Sequence, residues 1–233
     1  MKGLMDGGLT NSGHRTPAVF VDLPVDGGSE ATIRANAWMF KQVLARGVHG
    51  ILLVHAETPE AVTAFVESCR YPFHTIGVGE GVDVGRRGSG GQGSAANVWG
   101  VSTDEYLKKA DVWPLNPERE IMLGLKIENR RALENAEGSA AVPGISFAEW
   151  GPGDMGMAFG HPWRHDPPYP DEMIAARIRI KAACDDAGVF FLNEVNTDNV
   201  VEMIGEGVRI GSSRTGIEAA TIGRWHQGRK MPV

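Results

Sequence analysis

Ile121-Met122-Leu123-Gly124-Leu125-Lys126-Ile127-Glu128-Asn129 is the stretch on which the fold turns. It is an apolar strand that closes on a carboxylate. From Asn129 the period changes to a helical one carried by Leu133 and Ala136. A strand that passes directly into a helix is the first half of a strand-helix-strand unit, and the next strand, Gly144-Ile145-Ser146-Phe147-Ala148, follows on schedule.

The same alternation runs outward in both directions. Upstream, Ala18-Val19-Phe20-Val21-Asp22-Leu23 reads as a strand ended by Pro24. Ser29 caps a helix with Ile33, Ala37, Phe40 and Leu44 on one face, and Gly47 stops it. Gly50-Ile51-Leu52-Leu53-Val54 is a strand. Thr58-Pro59 then supplies an N-cap and a first-turn proline for a helix with Val62, Phe65, Val66 and Cys69. Ser102 and Glu105 form a capping box. Downstream, a Gly/Pro/Asp-rich loop is expected from Gly151 to Tyr169. Pro170 opens a helix to Ala187, and Gly188 to Leu192 is a strand. Thr197 caps a helix carrying Val200, Val201 and Ile204. Gly207 to Gly211 is a strand, and Thr215 with Glu218 boxes the last helix. Six strand-helix units in alternation require a mostly parallel sheet covered by helices, either doubly wound or a TIM barrel. Thr10 to Thr16 is a polar link. No shift in composition divides the chain, so residues 1–233 are expected to form one domain.

Composition narrows the function. Lys+Arg less Asp+Glu is 23 − 29 = −6, which argues against a nucleic-acid partner, because phosphate neutralisation needs clustered cations. No apolar run is long enough to span a membrane, and the N-terminus lacks a signal-peptide core. Cys69 and Cys184 have no partner motif and read as free thiols in a reducing cytoplasm. Glycine is in surplus, 31 of 233 residues, and eight of them fall between Gly77 and Gly93. That density predicts a long glycine-rich loop over 77–100, serving as a mobile lid or subunit contact. Gly77-Val78-Gly79-Glu80-Gly81 lacks the spacing of a dinucleotide fingerprint and no P-loop Lys-Ser/Thr follows it, and phosphate binding by Gly88 to Gly93 is a minor alternative.

In either parallel fold the chemistry gathers at the carboxyl ends of the strands. Those ends carry Asp22, His55 with Glu57, Lys126 with Glu128, Glu149 with the Gly151-Pro152-Gly153-Asp154 turn, Asn193 with Glu194, and Ser212 with Ser213. Glu128 and Asp154, on consecutive strands, suit a hard divalent cation, Mg²⁺ or Mn²⁺. The glycines of the turn, Gly151 and Gly153, would expose N–H groups to a substrate carboxylate. The blander alternative is that Glu128 caps its helix and Asp154 closes a turn. His55 stands where a general base would work, or is a structural hydrogen-bonder. Surface roles are expected for His14, His74, His161, His165 and His226, packing for Trp113, Trp150 and Trp163, and solvation for Arg86-Arg87.

These motifs together resemble the HpcH/HpaI aldolase family. Ile127-Glu128 matches its "IE" strand end, and Trp150-Gly151-Pro152-Gly153-Asp154-Met155 its "GPxDL" turn. Val21-Asp22-Leu23-Pro24 matches its third-strand segment, Arg70-Tyr71-Pro72 with Arg87-Gly88 its "RYPPxGxRG" segment, and Arg209-Ile210-Gly211-Ser212 its last barrel strand. The resemblance implies a TIM-type (β/α) barrel, a divalent metal at Glu128 and Asp154, and a pyruvate-like 2-oxo acid as ligand. The implied reaction is cleavage or formation of 4-hydroxy-2-oxo acids from pyruvate and an aldehyde. Three departures stand out. Met1 to Met5 resembles the end of the second barrel helix, so about six of eight βα units are expected and the family's catalytic His segment is not among them. Asp22 stands where the family has a substrate-facing Arg, and Lys126 where it has Gln. Lys126 is then expected to supply positive charge to substrate or to pair with Asp22, His55 to act as surrogate base, and Ser212 to face substrate. An incomplete barrel implies a homo-oligomer that covers its strand edges. The alternative is a barrel that binds metal and 2-oxo acid, or serves assembly, without turnover.

Overall fold

The computed structural model describes residues 1–9, 17–164 and 166–230. The polar link from Thr10 to Thr16, which includes His14, and His165 lie outside the described residues. Seven parallel strands form one sheet: β1 Phe20–Asp26, β2 Gly50–Val54, β3 Val112–Trp113, β4 Ile121–Lys126, β5 Ile145–Glu149, β6 Phe190–Glu194 and β7 Ile210–Ser212. The path runs β1-β2-β4-β5-β6-β7, with the two-residue β3 beside the start of β4. Along that path each strand pairs with the next and the order never reverses. That is the winding of a TIM-type (β/α) barrel, whereas a doubly wound sheet needs a switch point.

The helical face of the sheet buries Ile51, Leu53, Leu123 and Leu125 against Phe40, Leu44 and Phe65 from the helices Glu30–Leu44 and Pro59–Cys69. On another side of these strands the rings of Phe20 and Phe147 meet edge to face, 5.8 Å between centroids. Gly50 and Gly124 make room for them, since a Cβ at either position would run into the Phe20 or Phe147 ring.

The caps expected at Ser29, Thr58 and Ser102 are present, each oxygen accepting a backbone N–H from the first turn of its helix. The helix Val200–Glu206 starts behind Asn199 rather than Thr197, and the last helix, Gly216–His226, starts behind Thr215 as expected. Neither cap side chain accepts a first-turn N–H, and just before them Asn196 Oδ1 takes the N–H groups of Asp198 and Asn199 and Ser213 Oγ that of Thr215. Strands expected to begin at Gly188 and Gly207 begin two or three residues later. Those glycines have φ of 69° and 107° and terminate the preceding helices instead. Pro24 does not end β1, because an edge strand tolerates a missing donor.

The glycine-rich stretch is shorter than expected, since a helix forms over Gln92–Trp99 behind Gly91 at φ 85°. It is also fastened rather than lid-like. Arg86 and Arg87 donate their backbone N–H groups to the carbonyls of Glu67 and Arg70, and Gly79 to that of Val82. Arg87 is buried, not solvated: its guanidinium lies 4.0 Å over the Tyr71 ring and donates to the Tyr106 hydroxyl. Beneath the stretch, Arg70 and Asp111 form a fully buried ion pair at 2.7 Å, and Arg70 also donates to the carbonyls of His74 and Ile76. His74, expected at the surface, is buried beside them with Nε2 3.0 Å from the carbonyl of Leu107.

Candidate metal centre

β1 and β2 lose register between two points: Asp22 pairs with Leu52, yet Asp26 pairs with Val54. Four residues of β1 therefore span two of β2, and Pro24, which has no N–H for the ladder, lies inside the bulge. The bulge brings Asp26 level with the end of β2, one residue before His55. His55 has φ +48°, and among the described residues no other non-glycine has a positive φ. This turn aims both its amide and its ring at one neighbour. The amide donates to Oε1 of Glu128 at 3.3 Å, and Nε2 lies 3.8 Å from the same oxygen. The other ring nitrogen, Nδ1, is 3.0 Å from Oδ1 of Asp26.

Glu128 stands two residues beyond β4 and is fully buried. It does not cap the next helix. Asn129 does, its side chain accepting from the N–H of Ala132. Oε2 of Glu128 has no hydrogen bond and lies 3.5 Å from Nζ of Lys126. Gly151 packs over it, and a Cβ there would strike the Glu128 carboxylate and come within 2.9 Å of its own Cβ. The expected Gly-Pro-Gly-Asp turn is in fact the start of a helix, Pro152–Phe159, with Asp154 in its first turn and exposed. One ligand atom each from His55, Glu128 and Asp154 can be chosen so that all lie within 4.8 Å of one another.

The charges are unbalanced. Lys126 is the cation among Asp22, Glu128 and Glu149. Burial would lower its pKa, but those three carboxylates outweigh it and hold the ammonium charged. Burial pushes Glu128 up to about 7, with Asp154 adding to the rise and Lys126 opposing it. Burial likewise raises Glu149, helped by Asp22 and opposed by Lys126. A buried carboxylate oxygen with no hydrogen bond, a second carboxylate and an imidazole, with ligand atoms within 4.8 Å of one another, are a donor set that fits a divalent cation.

Of the sequence-predicted residues, Lys126, His55, Glu128, Asp154 and Gly151 come together here. Gly153 occupies the second helix position with open space where a Cβ would be. Ser212 lies on the same rim at the end of β7, opposite Glu194 and three strands from β4, outside this cluster. Both alternatives for Lys126 are visible, since Nζ is also 3.8 Å from Oδ2 of Asp22. Sequence reasoning gave no role to Asp26 or Glu149. The signal for Asp26 was Pro24, an interruption that implied a bulge. Glu57 is structural, bound by Asn129 and Arg131. Trp150 is packed, donating to Asn193, and Trp113 lies against Phe190, whereas Trp163 is exposed. His161 is paired with Glu172.

A family model described as HpcH/HpaI aldolase/citrate lyase matches residues 22–217. The hydroxypyruvate/pyruvate aldolase of Chromohalobacter salexigens is 30% identical over 148 residues, 64% of this chain and 50% of that protein. The chain spans about half the length of the curated relatives it matches. A crystal structure of an HpcH/HpaI aldolase/citrate lyase family protein from Burkholderia cenocepacia superposes with a TM-score of 0.63 at 22% identity, covering 92% of this chain and 86% of that one. The citrate lyase beta subunit of M. tuberculosis, complexed with oxaloacetate and magnesium, superposes with a TM-score of 0.52 at 14% identity, over 97% of this chain and 78% of that one.

Proposed function

The chain belongs to the HpcH/HpaI aldolase/citrate lyase family, and we propose that it is a metal-dependent lyase that cleaves or forms 4-hydroxy-2-oxo acids, giving pyruvate and an aldehyde. The observation that carries this reading is Glu128: a fully buried carboxylate whose Oε2 has no hydrogen bond, facing Asp154 and His55. Glu128 and Asp154 would hold the cation, Mg²⁺ or Mn²⁺. The magnesium and oxaloacetate of the citrate lyase subunit support the same ligand chemistry here, since oxaloacetate is itself a 2-oxo acid. A bound divalent ion acts as a Lewis acid on the oxygens of such a ligand.

The protein's own groups supply the rest. Breaking the bond between C3 and C4 sends its electron pair toward the 2-oxo oxygen, while the 4-hydroxyl gives up a proton. Lys126, held charged at the edge of the cluster, answers the negative charge that develops there. The helix N-terminus at Gly151, Gly153 and Asp154 offers backbone N–H groups to the substrate carboxylate. Ser212 faces the aldehyde-derived part from the same rim. His55 presents Nε2 to the cluster as a proton acceptor or as a further ligand. The chain works in this reading as a homo-oligomer. Among the described residues no strand pairs with the outer edges of β1 and β7, and a second copy would cover them.

The test is pyruvate release from 4-hydroxy-2-oxo acids with Mn²⁺ or Mg²⁺ and after EDTA. Release that depends on the metal and is lost in Glu128→Gln is the expected result. A second reading, binding of cation and 2-oxo acid without turnover, is favoured by Asp22, whose carboxylate points at Lys126 where the family pattern has a substrate-facing Arg. Metal binding with no pyruvate released would select it.

A further inference from the structure

We propose that His55 is a third protein ligand of the cation held by Glu128 and Asp154, and that its imidazole biases the site toward first-row transition ions over Mg²⁺. The inference rests on the reading of Glu128 and Asp154 as a cation site and extends it. Four observations support it. Oδ1 of Asp26 lies 3.0 Å from Nδ1, and a carboxylate there accepts, so in the neutral ring the proton sits on Nδ1 and the lone pair on Nε2. A carboxylate behind the far nitrogen is the arrangement that orients a metal-bound histidine. Nε2 lies 3.8 Å from Oε1 of Glu128, too far for a hydrogen bond but within the roughly 3–4 Å that separates two atoms bound to one ion at about 2.1 Å. The backbone of His55 is held at φ +48°, a conformation that costs free energy in a non-glycine residue and persists where the surroundings enforce it. Its amide grips the same Oε1, so ring and carboxylate are positioned as one unit.

Nε2 stands 3.8 Å from a buried carboxylate oxygen, a separation that one ion bound to both would span. An imidazole nitrogen added to two carboxylates raises affinity for Mn²⁺, Co²⁺ and their neighbours more than for Mg²⁺, which prefers oxygen.

The 233-residue chain is titrated with Co²⁺ and with Mg²⁺ by calorimetry, and its Mn²⁺ complex is examined by pulsed EPR for coupling to imidazole nitrogen. His55→Asn is the main variant, because Asn tolerates positive φ and is too short to reach the Nε2 position. Asp26→Asn is the second, since it keeps the ring and an acceptor for Nδ1 but removes the negative charge behind it. The expected results are an imidazole signal in the wild type that disappears in His55→Asn, and Co²⁺ affinity about tenfold or more weaker in that variant with Mg²⁺ affinity changed far less. Asp26→Asn should keep the signal and bind Co²⁺ about tenfold more weakly. Wild-type binding that is abolished by Glu128→Gln yet shows no imidazole signal and is unchanged in His55→Asn would overturn the role of His55 and leave the two-carboxylate site standing. Failure of the wild type to bind any of the three ions would overturn both.

Discussion

Nζ of Lys126 stands 3.5 Å from Oε2 of Glu128 and reaches Oδ2 of Asp22 at 3.8 Å. One ammonium therefore serves a fully buried carboxylate and a half-exposed one. A Gln in its place could donate to the Glu128 oxygen but would bring no charge to it. The lysine thus partly neutralises the pocket that a cation would fill, so its removal should act oppositely on cation binding and on turnover.

Lys126→Met is expected to leave divalent-cation affinity unchanged or tighter, because a like charge leaves the neighbourhood of the ion. Turnover should fall about 10²-fold or more, the usual cost of removing a group that answers developing oxyanion charge. Calorimetry and pyruvate release on the same preparation check the two halves. A parallel loss of both would mean that Lys126 only holds Glu128 in place.

Gly151 and Gly153 sit two residues apart and should respond differently. Gly151→Ala forces a methyl group against Glu128, where neither the strand end nor the helix start can easily give way. It should weaken cation binding by about tenfold and lower stability by about 1–3 kcal/mol. Gly153→Ala meets open space and should cost nothing measurable in either assay. Thermal melts with and without Mn²⁺ distinguish them.

Why was the candidate cation site legible in the sequence while part of its scaffold was not? Glu128, Asp154, Lys126 and His55 follow apolar runs, and a parallel sheet gathers the ends of such runs on one rim. Asp26 was hidden because the pairing of His55 with it depends on a bulge that only tertiary pairing creates. The helices Gln92–Trp99 and Pro152–Phe159 were hidden for a local reason. Each begins behind a glycine, Gly91 or Gly151, instead of a Ser, Thr or Asp cap, and both were read as loop. β3 has two residues before Pro114 and shows no period at all. The ion pair of Arg70 with Asp111 joins residues 41 apart, and no spacing rule connects them.

Cys69 and Cys184 are both buried, and burial pushes each thiol up to about 12. The thiolate is the reactive form, so neither should react with an aromatic disulfide reagent at pH 8 while the chain is folded. Two thiols should appear only as fast as the protein unfolds in denaturant, and rapid labelling of either in native buffer would contradict the packing of the helices Pro59–Cys69 and Asp171–Ala187.

Asp111 and His74 make the fold acid-sensitive through the same buried cluster. Burial alone would raise the Asp111 pKa, but the hydrogen bond and charge of Arg70 outweigh it and hold the carboxyl below its ordinary value. A depressed folded pKa contributes stability that is complete above the unfolded value of about 3.9 and is lost as pH falls through the folded one. His74 moves the other way in charge. Burial lowers its pKa against the opposing pull of Asp111, so the unfolded chain takes up its proton first, near pH 6.5. The contribution of His74 therefore declines as pH drops below about 6.5 and that of Asp111 below about 4, while Glu128 and Glu149, raised by burial, contribute in the opposite direction between them. His74→Gln should flatten the first decline and leave the second. Asp111→Asn should remove the second and, by leaving Arg70 buried without its counter-charge, cost about 3–5 kcal/mol at neutral pH. Urea midpoints measured from pH 3.5 to 8 separate the two steps. A midpoint in Asp111→Asn equal to wild type at pH 7 would show that the pair does not carry the anchoring of the glycine-rich segment.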